Sequence, residues 1–254
     1  MDASFTVITS NIRFSTTDDG LHRWENRRPL LARILLSHRP ALIATQEGRE
    51  PQLRELASSL SPLKLVTDGR PWIDERMYPC LFVDPAQVDV ISNGDFWLSD
   101  TPEIPGSVSF ESTFPRLCTW ARVKIGGEAW LVASTHLDHV LVETRKQQAH
   151  VLVKQLQALR ENGEPLLLMG DFNDDPSSET HEILLNGFAD LTDPWSKPEE
   201  ASHHPFSGIC PTGHRIDWIL VPQSKMVAEI FLDKTNEDGK WPSDHFPVIC
   251  KIKA

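Results

Sequence analysis

The chain has 254 residues, of which 40% are hydrophobic and 24% are charged, the balance of an ordinary globular protein rather than a disordered or fibrous one. Its 25 basic and 36 acidic residues give a formal net charge of −11, which argues against a surface that holds nucleic acid by general electrostatic attraction. A nuclease is not excluded, because bound divalent metal ions and a few local arginines can hold phosphates in an acidic enzyme.

Cysteine spacing and hydropathy indicate the state of the thiols and the location of the protein in the cell. The four cysteines, Cys80, Cys118, Cys210 and Cys250, lie far apart and form no CxxC pair, so neither a zinc knuckle nor a disulfide framework is predicted. The N-terminus has no basic stretch with a following apolar run, and no segment approaches the roughly 20 apolar residues of a membrane span. We therefore expect free thiols, a cytoplasmic location and no membrane span.

The first part of the chain alternates strands and helices. A β-branched run over residues 5–9 predicts a buried strand that ends near Asn11. Apolar residues at helical spacing predict helices over residues 24–36 and 53–60. Between them, the apolar run 41–45 predicts a strand that continues into Gln46-Glu47.

The middle of the chain predicts an antiparallel meander, because short apolar runs are separated by turn residues. The predicted strands cover residues 80–83, 88–91, 96–98, 119–123 and 129–133. A long amphipathic helix is expected over 143–161, followed by an apolar strand over 165–169 that leads directly into Gly170-Asp171-Phe172-Asn173.

The last part predicts a short helix over residues 179–185, a long loop over 193–213 without apolar periodicity, and strands over 216–221, 227–232 and 247–252. No repeat, low-complexity tract or linker divides the chain, so we predict a single domain over residues 1–254. Mixed strands and helices favour an α/β fold, a four-layer sandwich of two mostly antiparallel sheets flanked by helices.

Polar side chains gather at or just beyond the ends of the predicted strands. They are Asn11, Glu47, His136, Asp171, Asn173, Asp217, Asp244 and His245. Carboxylates and amides without cysteine are the hard ligands that Mg²⁺ or Mn²⁺ prefers, and phosphoryl chemistry is what such an ion usually serves. Any one of these residues alone could be a turn former or helix cap, but the ordered set points to a metal-dependent site.

Six short motifs occur in order along nearly the whole chain. They are Ser10-Asn11-Ile12-Arg13, Gln46-Glu47, Thr135-His136-Leu137, Gly170-Asp171-Phe172-Asn173, Arg215-Ile216-Asp217-Trp218 and Ser243-Asp244-His245-Phe246-Pro247. In these motifs the sequence resembles the endonuclease/exonuclease/phosphatase superfamily, the metal-dependent phosphoesterases that include pancreatic deoxyribonuclease, abasic-site endonucleases, deadenylases, inositol-polyphosphate 5-phosphatases and neutral sphingomyelinases. Residues 96–102 and 136–139 look most like a bacterial-type subgroup.

The resemblance implies a role for each motif residue. Glu47 would be the principal metal ligand, with Asn11 and Asp244 completing the shell of a Mg²⁺ ion for which Mn²⁺ could substitute. His245 would be the general base or the electrostatic partner of the attacked phosphate, and Asp217 would orient it. The remaining implied catalytic residues are Asp171, which would position or deprotonate the attacking water, and Asn173 and His136, which would donate hydrogen bonds to the phosphoryl oxygens.

The implied function is hydrolysis of a phosphoester, and we favour a diester over a monoester. Nucleic acid, nucleotide, sugar phosphate and phospholipid headgroup all stay open as substrate classes. Candidate substrate contacts are Arg116, His139 and Arg145, together with the loop histidines His203 and His204. Each of these has a structural alternative, because Arg145 could pair with a carboxylate on a solvated helix face and the loop histidines could simply be exposed.

Other function classes lack residues that they need. The segment from His136 to His139 has part of the HxHxDH zinc motif of metallo-β-lactamase-like hydrolases, but Ser134 stands where the first histidine would be. A catalytic tyrosine, as in abasic-site endonucleases, is not assigned to the only tyrosine, Tyr78. No GxSxG elbow, Walker loop or GxGxxG fingerprint is present. The remaining alternative is a non-catalytic binding or scaffold protein on the same fold.

Overall fold

A computed structural model describes residues 4–67, 69–210 and 213–253. Its elements in chain order are β1 (Ser4–Asn11), a 3₁₀ segment (Thr17–His22), α1 (Trp24–Ser37), β2 (Leu42–Gly48), α2 (Glu50–Ser59), β3 (Lys64–Leu65), β4 (Tyr78–Val83), β5 (Val88–Trp97), β6 (Leu117–Ile125), β7 (Glu128–His136), α3 (Val142–Leu159), β8 (Leu166–Asp171), α4 (Glu179–Gly187), β9 (Leu191–Thr192), β10 (Asp217–Pro222), β11 (Val227–Leu232) and β12 (Val248–Lys253).

The strands form two six-stranded sheets. The first has the order β11-β12-β1-β2-β4-β3 and the second the order β5-β6-β7-β8-β10-β9. One pair in each sheet is parallel, β1 with β2 and β7 with β8, and the other neighbours are antiparallel. Each sheet is therefore mostly antiparallel around one central parallel pair.

Alternate residues of the central strands enter different cores. Val7 and Leu42 join the cluster between the two sheets, whereas the next residues, Ile8 and Ile43, join the cluster that includes buried residues of α1 and α2. On the second sheet the outer cluster includes residues of α3 and α4. Both faces of each sheet are covered, which explains the uninterrupted apolar runs. The predicted four-layer α/β sandwich is confirmed.

The middle of the chain differs from the prediction in two ways. Residues 88–91 and 96–98 were expected to be separate strands, but β5 runs continuously from Val88 to Trp97 because an irregularity between Val90 and Ser92 keeps the more polar segment paired with β6. Residues 80–83 do not belong to the meander. That strand, β4, is buried along its whole length and pairs with β2 in the first sheet.

Other elements agree with the prediction apart from their ends. The long helix α3 ends at Leu159 rather than at residue 161, and the two-residue strands β3 and β9 and the 3₁₀ segment were not predicted. The predicted loop at 193–213, of which residues 211 and 212 lie outside the described part, carries no helix or named strand where it is described. None of the described helices combines the length and apolar character needed to cross a membrane.

Candidate active site

The parallel pairs of the two sheets end at a common rim. The last residue of β1, Asn11, lies opposite Gln46 of β2, and the last residue of β7, His136, lies opposite Asp171 of β8. Asn11 Nδ2 donates a hydrogen bond to Asp171 Oδ2 at 2.9 Å, which joins one sheet to the other at this point. Residues that are up to 160 positions apart in the sequence thus become neighbours.

Glu47 is directed into the site by an irregular strand end. The β2–β4 register shifts just before Gly48, and Glu47 has a φ of 68°, a left-handed conformation that disfavours residues with a Cβ. The Glu47 carboxylate accepts hydrogen bonds from Asn11 Nδ2 at 3.1 Å and from Phe14 N at 3.2 Å. A Cβ at Gly48 would lie 2.5 Å from a methyl of Leu53, so glycine is what lets α2 pack at this turn.

Asp171 is buried at the end of β8. The residue before it is Gly170, where a Cβ would lie 2.2 Å from the carbonyl oxygen of Thr135, so glycine permits the close approach of β7 and β8. Asp171 is 1% exposed, and its Oδ1 accepts a hydrogen bond from the backbone N of Asn173 at 3.0 Å. Burial, followed by the nearby Asp217 carboxylate, raises the pKa of Asp171 to about 7.

His245 and Asp217 form a buried ion pair next to Asp171. His245 Nδ1 lies 2.8 Å from Asp217 Oδ2, and His245 Nε2 lies 3.9 Å from Asp171 Oδ2. Burial alone lowers the pKa of His245, but the Asp217 carboxylate outweighs it and raises the pKa to about 10. The imidazole is therefore protonated at neutral pH, which removes its ability to act as a base there.

His136 completes the buried polar group and differs from His245 in charge. Its Nε2 lies 3.4 Å from Asp171 Oδ2, and among the residues that the structure describes no carboxylate pairs with its other ring nitrogen as Asp217 pairs with His245. Burial and the neighbouring Arg116 guanidinium lower the pKa of His136 well below its ordinary value. The site thus holds one neutral and one charged histidine on the same carboxylate.

In the described part of the chain there are two groups of three side chains, and in each group the three potential metal-ligand atoms lie within 4.8 Å of one another. One is Glu47, His136 and Asp171, and the other is Asp171, Asp217 and His245. The first offers two carboxylates and a neutral imidazole, a donor set that fits a hard or borderline divalent cation. In the second, the raised pKa of His245 keeps its ring protonated, which leaves no free nitrogen lone pair for a cation.

The predicted metal ligands Asn11 and Asp244 do not direct an oxygen atom into either of these groups of ligand atoms. Asn11 directs its amide nitrogen toward Glu47 and Asp171, while its amide oxygen accepts a hydrogen bond from Arg13 N at 2.9 Å. Asp244 belongs to neither three-atom group, and its carboxylate lies 3.8 Å from Arg13 Nε. In this arrangement Asn11 holds the two carboxylates in place.

These residues surround a cleft of about 510 Å³, large enough for a phosphate with an organic group attached. Predicted site residues that line it are Glu47, Arg116, His136, His139, Asp171, Asn173, His203, Asp244 and His245. Asn11 and Asp217, both fully buried, lie behind them. The floor of the cleft is therefore acidic and closed to solvent, and its walls carry the more exposed residues.

Three of the candidate substrate contacts, Arg116, His139 and Arg145, fall in different places. Arg116 is 6% exposed, lies 3.2 Å from His139 Nδ1 through Nη2, and leaves its Nε without a hydrogen-bond partner in the described structure. His139 lines the cleft and stacks on Phe114. Arg145 does not line it. Rather than facing solvent, Arg145 is buried and its Nε pairs with Asp174 at 3.0 Å.

Sequence reasoning did not single out several cleft residues. Arg13, Phe14, Arg49, Met77 and Phe114 all line the walls. The Phe14 ring has the Arg13 guanidinium 4.4 Å and the Arg49 guanidinium 5.2 Å from its centroid. Arg13 stands inside the first motif, which was a usable signal. The others come from loops, and no periodic pattern marks them.

Arg27 on α1 holds the loop that carries Arg13 and Phe14. This arginine is 2% exposed and donates hydrogen bonds to the backbone carbonyls of Ile12, of Arg13 at 2.6 Å and of Pro242 at 3.3 Å. Burial lowers the pKa of Arg27 to about 10, so the side chain stays charged at neutral pH. Through one guanidinium, α1 fixes both the first loop and the segment that precedes Asp244.

A four-layer α/β sandwich with half-buried Glu47 and buried His136 and Asp171 clustered at the rim of its sheets resembles the arrangement of metal-dependent phosphoesterases. The chain belongs to the endonuclease/exonuclease/phosphatase family, whose model matches residues 8–245. Members of this family are hydrolases that act on phosphoester bonds and depend on divalent metal ions.

Known proteins of this kind cover the chain almost completely. It is 26% identical to an endonuclease/exonuclease/phosphatase family protein from Bacteroides thetaiotaomicron, with a TM-score of 0.89 over 99% of this chain and 98% of the other. The mannosyl-6-phosphatase Bt3783 of the same organism is also 26% identical, with a TM-score of 0.88 over 98% of this chain and all of that one. Rat nocturnin is 24% identical over 90% of this chain, which spans 58% of the length of nocturnin.

Proposed function

We propose that the protein is a divalent-metal-dependent phosphoesterase that hydrolyses a P–O bond by attack of water. The observation that carries the proposal is the arrangement around Asp171, a buried carboxylate that lies between neutral His136 and the charged pair of His245 and Asp217. A base with a pKa near 7 beside an imidazolium suits activation of water next to a phosphate group.

The proposed metal site centres on Glu47, the principal ligand, and Mg²⁺ is the proposed ion, with Mn²⁺ as a substitute. Asn11 and Asp244 are proposed to complete it. For Asn11 this requires the amide to turn over, because its nitrogen now faces the carboxylates. When bound, the ion would neutralise charge on the phosphoryl oxygens and on the departing oxygen.

The side chains divide the remaining work. Asp171 takes a proton from the attacking water, whose oxygen bonds to phosphorus while the bond to the leaving oxygen breaks. His245, held protonated by Asp217, stabilises the negative charge of the phosphoryl group, so we assign it the electrostatic role rather than that of general base. His136 and Asn173 donate hydrogen bonds to the phosphoryl oxygens, and the unpartnered Nε of Arg116 is available to the same group.

We propose a diester as the substrate, because several apolar side chains line the cleft and could contact an organic group on each side of the phosphorus atom. Phe14, Met77, Phe114 and Ile216 all line it, so a phosphorus atom above Asp171 could carry a substituent on either side. A monoester is the second candidate, and the 26% identity to a mannosyl-6-phosphatase favours it.

An activity screen tests the proposal. Protein stripped with a chelator and refilled with Mg²⁺ or Mn²⁺ would be offered bis-p-nitrophenyl phosphate, p-nitrophenyl phosphate, single-stranded DNA, RNA and sugar phosphates, beside an Asp171→Ala variant. Metal-dependent turnover by the wild type alone supports a phosphoesterase, and the preferred nitrophenyl ester decides between diester and monoester. Tight metal binding without turnover of any substrate would instead favour a non-catalytic protein on this fold.

A further inference from the structure

The segment that brings His203 to the cleft is attached to the end of the chain by a short antiparallel bridge. His203 lies opposite His245, with hydrogen bonds from His204 N to the Asp244 carbonyl and from Phe246 N to the Ser202 carbonyl, both at 2.8 Å. In this pattern the two opposed residues are a non-hydrogen-bonded pair, whose side chains lie close together on the same face. Since His245 faces the cleft, the register makes His203 face it too.

The neighbours of His203 confirm that this register is fixed. Ser202 and His204 point the other way and are fully buried. The Ser202 hydroxyl accepts hydrogen bonds from Ile216 N and Asp217 N, and the His204 ring stacks on Phe246 at 4.0 Å. A slip by one residue would expose these groups and bury His203, so the segment holds His203 beside His245.

The His203 side chain is half-buried and has no hydrogen bond to any part of the chain that the structure describes. Its ring centroid lies 4.8 Å from that of His245, and it lines the same cleft. Burial and the charged His245 lower the pKa of His203, so its ring is a neutral N–H donor at neutral pH. The wall residue Arg13, by contrast, pairs with Asp19.

The position of His203 relative to the floor suggests which part of the substrate it meets. Asp171 and His245 form a floor that is at most 5% exposed, so the organic group of a substrate has to extend toward the opening. In an in-line displacement the leaving oxygen lies opposite the attacking water. With the water at Asp171 on the floor, the leaving oxygen is directed toward the walls, where His203 lies.

We propose that His203 is a catalytic residue that donates a hydrogen bond from its imidazole N–H to the leaving oxygen of the phosphoester. The inference rests on the proposed phosphoesterase function. As the P–O bond breaks, the leaving oxygen keeps the electron pair of that bond, accepts the hydrogen bond from His203 and takes its proton from solvent, while the proton of the attacking water goes to Asp171. The interaction strengthens as charge develops on that oxygen.

The test compares two phosphodiesters whose leaving groups differ in their stability as anions. Wild type, His203→Ala and His203→Gln are assayed with Mn²⁺ on bis-p-nitrophenyl phosphate and on diphenyl phosphate, or on the corresponding monoesters if only those are turned over. We expect His203→Ala to lower kcat/KM about 10- to 100-fold on the phenyl ester, the range for a hydrogen bond to a charged group, and far less on the nitrophenyl ester, whose leaving anion is stable without help. His203→Gln keeps an N–H donor and should recover part of the loss.

Matched variants separate this role from a structural one. His150→Ala, at an exposed position of α3, should leave both rates unchanged. Equal losses on the two esters in His203→Ala, or no loss, would overturn the proposal. If the wild type hydrolyses neither ester, the proposed function fails separately. Binding of intact diphenyl phosphate, measured by calorimetry, then tests the contact with His203. At least threefold weaker binding by His203→Ala supports the contact, and equal binding refutes it.

Discussion

Replacing Asp193 by asparagine should destabilise the protein more than its position in a loop suggests. Asp193 Oδ2 lies 2.7 Å from Arg215 Nη2 and 3.4 Å from His181 Nε2. Arg215 is 0% exposed, and its other carboxylate contact, Glu199, lies farther away at 3.5 Å. Asp193→Asn would therefore leave a fully buried guanidinium with one distant, partly exposed carboxylate.

The magnitude follows from the burial of this pair. Removing one partner of a buried ion pair costs about 3–5 kcal/mol, and because Glu199 and the Trp195 ring, 4.6 Å from the guanidinium, remain, we expect about 3 kcal/mol. For a chain of this size that corresponds to a fall in Tm of about 6–12 °C. The neighbouring Asp190, whose side chain is 52% exposed and pairs with Arg160, provides a matched control, for which Asp190→Asn should cost no more than about 1 kcal/mol.

Urea unfolding of the wild type and the two variants measures both effects, and its pH dependence adds a second check. Burial raises the pKa of Asp193, but His181 and Arg215 outweigh burial and lower it. A carboxylate with a depressed folded pKa contributes stability above its unfolded pKa of about 3.9 and loses it as pH falls through the folded value. The wild-type advantage over Asp193→Asn should therefore persist from pH 7 to 5 and shrink below about pH 4. A loss no larger than that of Asp190→Asn would refute the reasoning.

Three further outcomes follow from the site. Glu47→Gln should weaken Mg²⁺ and Mn²⁺ binding about tenfold or more in calorimetry, and an unchanged metal affinity would remove Glu47 from the ligands. Asp217→Asn removes the carboxylate that raises the pKa of His245, so His245 should lose its proton at a lower pH and the alkaline limb of the pH–rate profile should move to lower pH; an unmoved limb would contradict the assigned role. Arg116→Gln should raise KM about 10-fold or more with an unchanged circular dichroism spectrum, since it removes one charged donor to the phosphoryl group, and an unaltered KM would show that Arg116 does not contact substrate.

The clustering of the candidate site residues could be predicted from the sequence because the ends of strands can be recognised there. Apolar runs identified the strands that end at Asn11, Glu47, His136 and Asp171, and polar residues that follow such runs are confined to a rim. Parallel pairing of β1 with β2 and of β7 with β8 then brings those four ends together. The roles of these residues came from the resemblance, since pattern alone does not distinguish a base from a ligand.

Properties that depend on long-range packing could not be predicted from the sequence. Strand β4 has the same apolar run as its neighbours, and its place in the first sheet is set by pairing with β2, which no local pattern encodes. Arg145 was expected near substrate or on a solvated face, yet it pairs with Asp174, which lies 29 residues away. The pKa of His245 likewise depends on Asp217, which lies on β10, so only the assembled fold gives the charge of His245.

The hydrogen bond between Asn11 and Asp171 has a consequence for folding. Neither sheet contains a complete site, because Asn11 and Glu47 come from the first sheet and His136 and Asp171 from the second. Contacts of such large sequence separation form late, after the loop-closure entropy of the intervening chain has been overcome. A refolding experiment should therefore recover secondary structure before turnover, so that catalysis reports on the docking of one sheet against the other.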